Sequence, residues 1–214
     1  MPRKNRVLML PKQDRAEAHY IAIDDYNLVV MPVRKVAGTS IKETLKTVIE
    51  RNRMRLVTLA EVAELYSDYF SFAFVRHPAD RLVSFWHFVI ARDEFRIHSS
   101  MSRLGFTPMM SFADTVRHAA TIPDADADPH FRSQAALLCH QGEVVPQWVG
   151  RYEHLEDHWR VIQTHFAACG LEVPDLQHRN KTKTRQPWQT YYNDELYSVM
   201  ADRYAEDLER WYSI

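Results

Sequence analysis

The stretch from Asn27 to Leu45, NLVVMPVRKVAGTSIKETL, constrains the fold more than any other part of the chain. Leu28 to Met31 is a short apolar run rich in β-branched residues, the pattern of a strand buried on both faces, and it stops at Pro32. After the loop Lys35-Val36-Ala37-Gly38-Thr39-Ser40, the residues Ile41, Leu45 and Val48 recur at helical spacing while Lys42, Glu43 and Lys46 fall on other faces. The stretch therefore predicts a strand, a tight basic loop and a helix. Such a loop leaves the first N–H groups of the helix without intrahelical partners at the positive end of its dipole, and Gly38 lets the backbone come close to an oxyanion. Thr39 and Ser40 add hydroxyl donors and Lys35 a full charge. The loop is not a Walker A motif, because its lysine precedes the glycine by three instead of standing directly before the hydroxyl residue. Taken alone it reads equally as a phosphate or sulfate cradle and as a Gly-Thr-Ser turn that caps a helix.

A second element bears on that choice. Tyr69 to Val75, YFSFAFV, has high strand propensity and runs straight into Arg76-His77-Pro78. Pro78 suits the first position of a helix, and ADRLVSFWHFVIAR after it has helical periodicity, with Leu82, Phe85 and Val89 on one side and Trp86 and Ile90 widening the stripe. His77, Arg81 and Ser84 are spaced four and three apart and so share one face near the helix start, where Arg76 at the strand end also reaches. Surface charges around an ordinary helix start are the plain alternative. In an open parallel sheet, however, ligands sit at the carboxyl ends of strands, and two strand–loop–helix units with anion-ready mouths point to a ligand with two separated anionic groups.

The composition bounds what that ligand is. With 214 residues, one domain with a buried core is the expectation, and 46% hydrophobic with 26% charged residues excludes disordered and fibrous classes. A net charge of −1 argues against a protein whose business is the nucleic-acid backbone, so any anion site is local. The only apolar run in the first twenty residues has four members, too short for a signal-peptide core or a membrane span. Cys139 and Cys169 form neither a disulfide framework nor a metal-ligand spacing and read as buried thiols, as in a reducing cytoplasm. Eleven histidines fall into no metal-binding motif, and no metal is expected.

Elsewhere, His19 to Ile23, Asp24-Asp25 and Asn27 to Met31 read as a hairpin, Arg51 to Arg55 as a solvated helix end, and Leu59 to Tyr66 as a short helix capped by Thr58. Met101 to Pro129 is irregular, with one helix over Phe112 to Ala120. Gln147 to Tyr152 is a strand candidate, followed by a helix from His154 to Ala168 that Gly170 ends. The segment HRNKTKTRQP, His178 to Pro187, gathers Arg179, Lys181, Lys183 and Arg185 without an apolar residue. It is either a solvated basic loop or a lid over an anion. A last helix packs through Leu196, Met200, Tyr204, Leu208 and Trp211.

KVAGTS before a helix, together with FVRHPADRLVSFW, resembles the two cofactor signatures of the sulfotransferases that use 3′-phosphoadenosine 5′-phosphosulfate (PAPS), especially the carbohydrate sulfotransferase branch. DPHFRSQ, residues 128 to 134, VGRYEHLED, residues 149 to 157, and the ending from Tyr192 to Tyr212 are similar to further segments of that family. The family has proline directly before the loop lysine; here Arg34 stands there and Pro32 lies three residues before Lys35. The resemblance implies a P-loop-like three-layer α/β fold, a central parallel sheet flanked by helices, as one domain over residues 1–214 with an irregular cap at about 93–133. It implies that Lys35, Val36, Ala37, Gly38, Thr39 and Ser40 bind the 5′-phosphosulfate, that Arg76 and Ser84 bind the 3′-phosphate, and that Lys183 and Arg185 close over the donor.

The expected activity is transfer of a sulfuryl group from PAPS to a hydroxyl acceptor, a saccharide or glycoconjugate, by a cytoplasmic protein with no nucleic-acid partner. Lys35 would neutralise the leaving oxygen. His130, the one histidine inside a family-like segment outside the cofactor signatures, is the candidate general base. Two other classes stay open: a P-loop-type small-molecule kinase, which needs a Walker lysine and an aspartate after the second strand, and a nucleotide-binding module without catalysis.

Overall fold

The computed structural model describes residues 19–91, 99–176 and 186–213. Its frame is a five-stranded sheet in the order β3-β1-β2-β4-β7, built from β1 (Tyr20–Ile23), β2 (Leu28–Met31), β3 (Arg55–Val57), β4 (Phe70–Val75) and β7 (Trp148–Arg151). A further two-stranded pair, β5 (Cys139–His140) and β6 (Glu143–Val144), stands apart from it. The expected hairpin is β1 and β2, antiparallel with Ile21 opposite Val30, and Asn27 takes the left-handed conformation (φ 46°) that closes the turn. Beyond it β2, β4 and β7 run parallel, with Met31 paired to Ala73 and Val75 to Arg151. Because β3 is antiparallel to β1, it too points the same way, so four strands deliver their carboxyl ends to one edge. This is the expected α/β architecture with a mostly parallel central sheet.

Local chemistry sets the helices around it. α1 (Gly38–Leu45) buries Ile41 and Leu45, and α2 (Leu59–Leu65) begins with a capping box in which Thr58 and Glu61 satisfy each other's backbone N–H groups. α3 (Pro78–Phe85) has Pro78 in its first turn and passes into a π-helical turn, Trp86–Ile90. α4 (Ser99–Arg103) and α5 (Phe112–Thr121) follow, then α6 (Gln134–Leu138), α7 (Leu155–Ala168), α8 (Asp194–Arg203) and α9 (Ala205–Trp211). α7 covers the phenylalanine face of β4, where Phe72 meets Trp159 and Phe166 edge-on and Phe70 stacks on His165. A second apolar cluster joins Leu82 and Phe85 of α3 to Phe106, Val116, Phe131, Leu196 and Met200, so the irregular segment has a core of its own against α3 and α8.

Three expectations need correction. Of the stretch Arg51 to Arg55, Arg51–Arg53 is an exposed 3-10 turn, but Arg55 opens an edge strand, Arg55–Val57, in which only Val57 is buried. The terminal helix is split at Tyr204, whose buried hydroxyl donates to the Phe131 carbonyl (2.6 Å) while the next turn rotates Asp207 inward. Cys139 is half-buried and Cys169 exposed, so neither is a buried thiol.

Asp207 is fully buried, and burial pushes its carboxyl pKa up against the hydrogen bonds that hold it down. It accepts from the Gln134 and Ala135 backbone N–H groups (2.9 and 2.7 Å), the free donors at the start of α6, and from Gln134 Nε2 (3.2 Å). Asp207→Ala would strand those donors and is expected to destabilise the fold by about 2–5 kcal/mol. Differential scanning calorimetry should then show a melting temperature lower by roughly 5–15 °C, since a chain of this size moves about 2–4 °C per kcal/mol; an unchanged Tm would contradict this account of the carboxylate.

Candidate functional site

The loop after β2 ends in a helix start with a specific backbone. Lys35 and Ala37 both lie in the left-handed region (φ 68° and 52°), and no side chain caps α1. Ala37 instead accepts the Ile41 N–H through its carbonyl (3.0 Å), which orients the N–H groups of Gly38, Thr39 and Ser40 outward along the helix start. Gly38 lies in a close approach: a Cβ there would lie 3.2 Å from the Val33 oxygen and 3.3 Å from the Pro32 side chain, so a larger residue would press on the loop. Val36 is buried, so it offers only its backbone, and Ser40 is buried as well, whereas Thr39 is exposed. The Lys35 ammonium lies 3.7 Å from the centre of the Phe88 ring, an exposed side chain of the π-helical turn. Lys42, on α1, has its pKa lowered by burial and then by repulsion from Arg34 and Lys46, a mark of crowded positive charge beside this loop.

The second mouth opens directly beside the first. Arg76 follows β4 and is only 6% exposed. Its Nε donates to Asp80 (2.7 Å), its Nη1 donates to the Lys35 carbonyl (3.0 Å), and its guanidinium lies 4.2 Å from the centre of the Tyr152 ring. Its backbone is gripped too, since the Arg76 N–H donates to Gln134 Oε1 (2.9 Å) and Gln134 Nε2 donates to the Arg76 carbonyl (2.8 Å). An arginine has five N–H donors, so the two committed here leave others for an anion at the mouth. Ser84 lies half-buried two turns along α3.

Arg81 departs from the sequence expectation. It shares a face with His77 and Ser84 by spacing, yet it is buried and turned under the loop, with all its hydrogen bonds to backbone carbonyls: Nε to Arg34 (3.1 Å), Nη2 to Pro129 (2.9 Å) and Nη1 to Arg132 (2.6 Å). Burial lowers its pKa, and the Asp207 carboxylate leads the groups that oppose this.

His130 lies on the turn that Arg81 holds. The Asp128 carboxylate is 2.7 Å from His130 Nδ1 and also accepts the His130 N–H (3.0 Å). Burial pushes the Asp128 pKa up, but hydrogen bonds from the His130 ring and backbone outweigh it and bring the group down to about 2. Asp128 is thus an anion at neutral pH that fixes the tautomer and direction of the imidazole. Sequence reasoning named the histidine and missed this partner, although Asp128 stands in the same seven-residue segment. It missed Gln134 for the same reason. Glu153 accepts from the His77 N–H (2.7 Å) and the Tyr212 hydroxyl (3.1 Å), which makes it a brace between β4 and the C-terminus. Lys183 and Arg185 lie outside the described residues. Among the described residues no group of three or more His, Cys, Asp or Glu side chains is placed to hold a metal, and no helix is long and apolar enough to cross a membrane.

The structure thus brings Lys35, the α1 start, Arg76 and the His130 turn to one edge of the sheet. The sequence profile of the Sulfotransferase family matches residues 18–213. No curated protein and no solved structure matches the chain at a significant level.

His77 caps α3: its Nδ1 accepts the Ala79 N–H (3.3 Å), and the ring stacks on Trp188 at 4.7 Å. Burial lowers its pKa, opposed by Glu153. A histidine whose folded pKa lies below its unfolded value of about 6.5 binds its proton more readily in the unfolded chain. Its contribution to stability is therefore complete above about pH 6.5 and is lost as pH falls through the folded value. His77→Asn keeps a capping acceptor without the titration. Urea unfolding between pH 7.5 and 5 should show a shallower loss of stability in the variant; identical pH profiles would contradict the neutral capping role.

Proposed function

Since the chain belongs to the sulfotransferase family, we propose that it moves a sulfuryl group from PAPS to a hydroxyl on a saccharide or glycoconjugate, with the donor held across the mouths of β2 and β4. One observation carries the reading: an uncapped α1 start flanked by Lys35 is joined, through the 3.0 Å bond from Arg76 to the Lys35 carbonyl, to a second cationic mouth on the neighbouring parallel strand. A donor with a 5′-phosphosulfate and a separate 3′-phosphate has the charge distribution that such paired mouths suit. The likeness of KVAGTS and FVRHPADRLVSFW to the carbohydrate branch supports a saccharide acceptor.

PAPS, when bound, supplies an activated sulfuryl group on a phosphate leaving group. Every other task falls to side chains and backbone of this protein. The N–H groups of Gly38, Thr39 and Ser40, with the Thr39 hydroxyl, hold the 5′ group. Lys35 places a compact positive charge where negative charge develops on the leaving oxygen, an interaction stronger in the transition state than before it. Arg76 and Ser84 hold the 3′-phosphate through the donors that Arg76 has not committed to Asp80 and Lys35. With Nδ1–H directed at Asp128, His130 keeps the Nε2 lone pair for the acceptor's hydroxyl proton.

Three comparisons test the reading. The desulfated donor, adenosine 3′,5′-bisphosphate (PAP), should bind without added metal and about 10–100-fold more tightly than AMP, the value of one charge-assisted hydrogen bond to the 3′-phosphate; calorimetry showing equal affinities, or tight binding only by ATP with Mg²⁺, would overturn the donor assignment. Lys35→Ala should lower turnover by about 10²–10³-fold, measured with labelled donor and a panel of saccharides, while PAP affinity changes far less. His130→Gln should cost about 10²–10⁴-fold in turnover while PAP affinity changes far less; a variant that keeps its rate would show that another group takes the proton.

A further inference from the structure

Among the described residues, Arg81 reaches both halves of the proposed chemistry without touching either reacting group. It is 2% exposed, and its three hydrogen bonds all end on main-chain oxygens from two distant segments. Arg34, whose carbonyl it holds, directly precedes Lys35; Pro129, whose carbonyl it also holds, directly precedes His130. Arg132 closes the same turn, in which the Phe131 and Arg132 N–H groups donate to the Asp128 carbonyl at 3.0 and 2.9 Å. A single planar group thus ties the loop before α1 to the turn that presents the imidazole. Asp207 is the foremost group favouring its charge, but the acceptors of its hydrogen bonds are main-chain carbonyls and not carboxylates.

We infer that Arg81 is a positioning residue: it holds the Lys35 loop and the His130 turn in one fixed register, so that charge stabilisation and proton removal act on the same reacting centre. The inference rests on the roles given to Lys35 and His130 above. Its physical basis is the guanidinium fork, which directs several N–H donors in fixed directions within one plane; a lysine ammonium brings charge to a single point and cannot span three carbonyls in two segments. Displacing a catalytic group by about 1 Å costs on the order of 10²-fold in rate, because orientation of the reacting groups is a large part of the acceleration. A brace with no such role would alter stability, donor affinity and turnover together. A register clamp separates them, since the N–H groups of Gly38 to Ser40 that hold the donor lie on the helix side of the loop.

Arg81→Lys is the direct test, with Lys35→Ala and His130→Gln assayed beside it. The expected result is a folded protein with PAP affinity within about threefold of the parent and turnover lower by about 10–100-fold. Should Lys35→Ala and His130→Gln both keep the parental rate, the proposed function fails and the clamp falls with it. If those two lose turnover while Arg81→Lys keeps it, only the clamp is overturned; the same holds if Arg81→Lys loses PAP affinity in proportion to its rate. Should Arg81→Lys not fold, hydrogen exchange in the parent decides. PAP in the donor loop should slow exchange of the Phe131 and Arg132 amides several-fold through the clamp, and exchange there that is indifferent to PAP would overturn it.

Discussion

Polar groups taken out of water must find partners, and the carboxyl edge of this sheet is organised by how that demand is met around Arg76 and Arg81. Both are buried, and together they donate to the carbonyls of Arg34, Lys35, Pro129 and Arg132 and to the Asp80 carboxylate. Those acceptors belong to three separate stretches of chain. Removing either guanidinium would leave carbonyls in a poorly solvated space, so the loop, the strand end and the irregular segment are fixed as one unit. Behind them Gln134 pairs with both backbone groups of Arg76 and is itself held by Asp207, which brings the C-terminal helix into the same network. In this member of the sulfotransferase family, buried polar pairing ties the carboxyl edge of the sheet together.

Apolar packing does the complementary work of setting the platform. β2 and β4 are wholly or nearly wholly buried, and α7 closes the phenylalanine face of β4. The second cluster holds α3, the helix that carries Arg81 and Ser84, against α5 and α8. Left-handed backbone at Lys35 and Ala37 costs on the order of 1 kcal/mol per residue and persists because this surrounding frame over-determines it. Such strain next to an uncapped helix start is the arrangement that the proposed anion cradle requires.

Much of this was legible in the sequence, and the parts that were not share a cause. Leu28 to Met31 is a continuous apolar run closed by Pro32, and Phe70 to Val75 is a run of high strand propensity closed by Arg76-His77-Pro78, so both strands and both helix starts could be read directly. β3 was hidden because two of its three residues face solvent inside a charged run. The break at Tyr204 was hidden because the apolar spacing continues through it, while the interruption comes from a hydroxyl finding the Phe131 carbonyl 73 residues away. Spacing put Arg81 on the His77 and Ser84 face, but spacing does not say whether a long side chain on that face reaches outward to a ligand or folds under to backbone carbonyls. Nothing in the apolar spacing singles out Asp207, and only the fold shows it at the start of α6.

The claim at the centre of this account is that one nucleotide spans the two mouths, its 5′ end at the α1 start and its 3′-phosphate at Arg76 and Ser84. A crystal structure of the complex with PAP tests it most directly. The account predicts the 5′-phosphate within hydrogen-bond distance of the Gly38, Thr39 and Ser40 N–H groups and the 3′-phosphate on Ser84 and the uncommitted donors of Arg76, with the bond from Arg76 to the Lys35 carbonyl intact. PAP bound away from the carboxyl edge of β2 and β4, or with its 3′-phosphate directed into solvent, would contradict it.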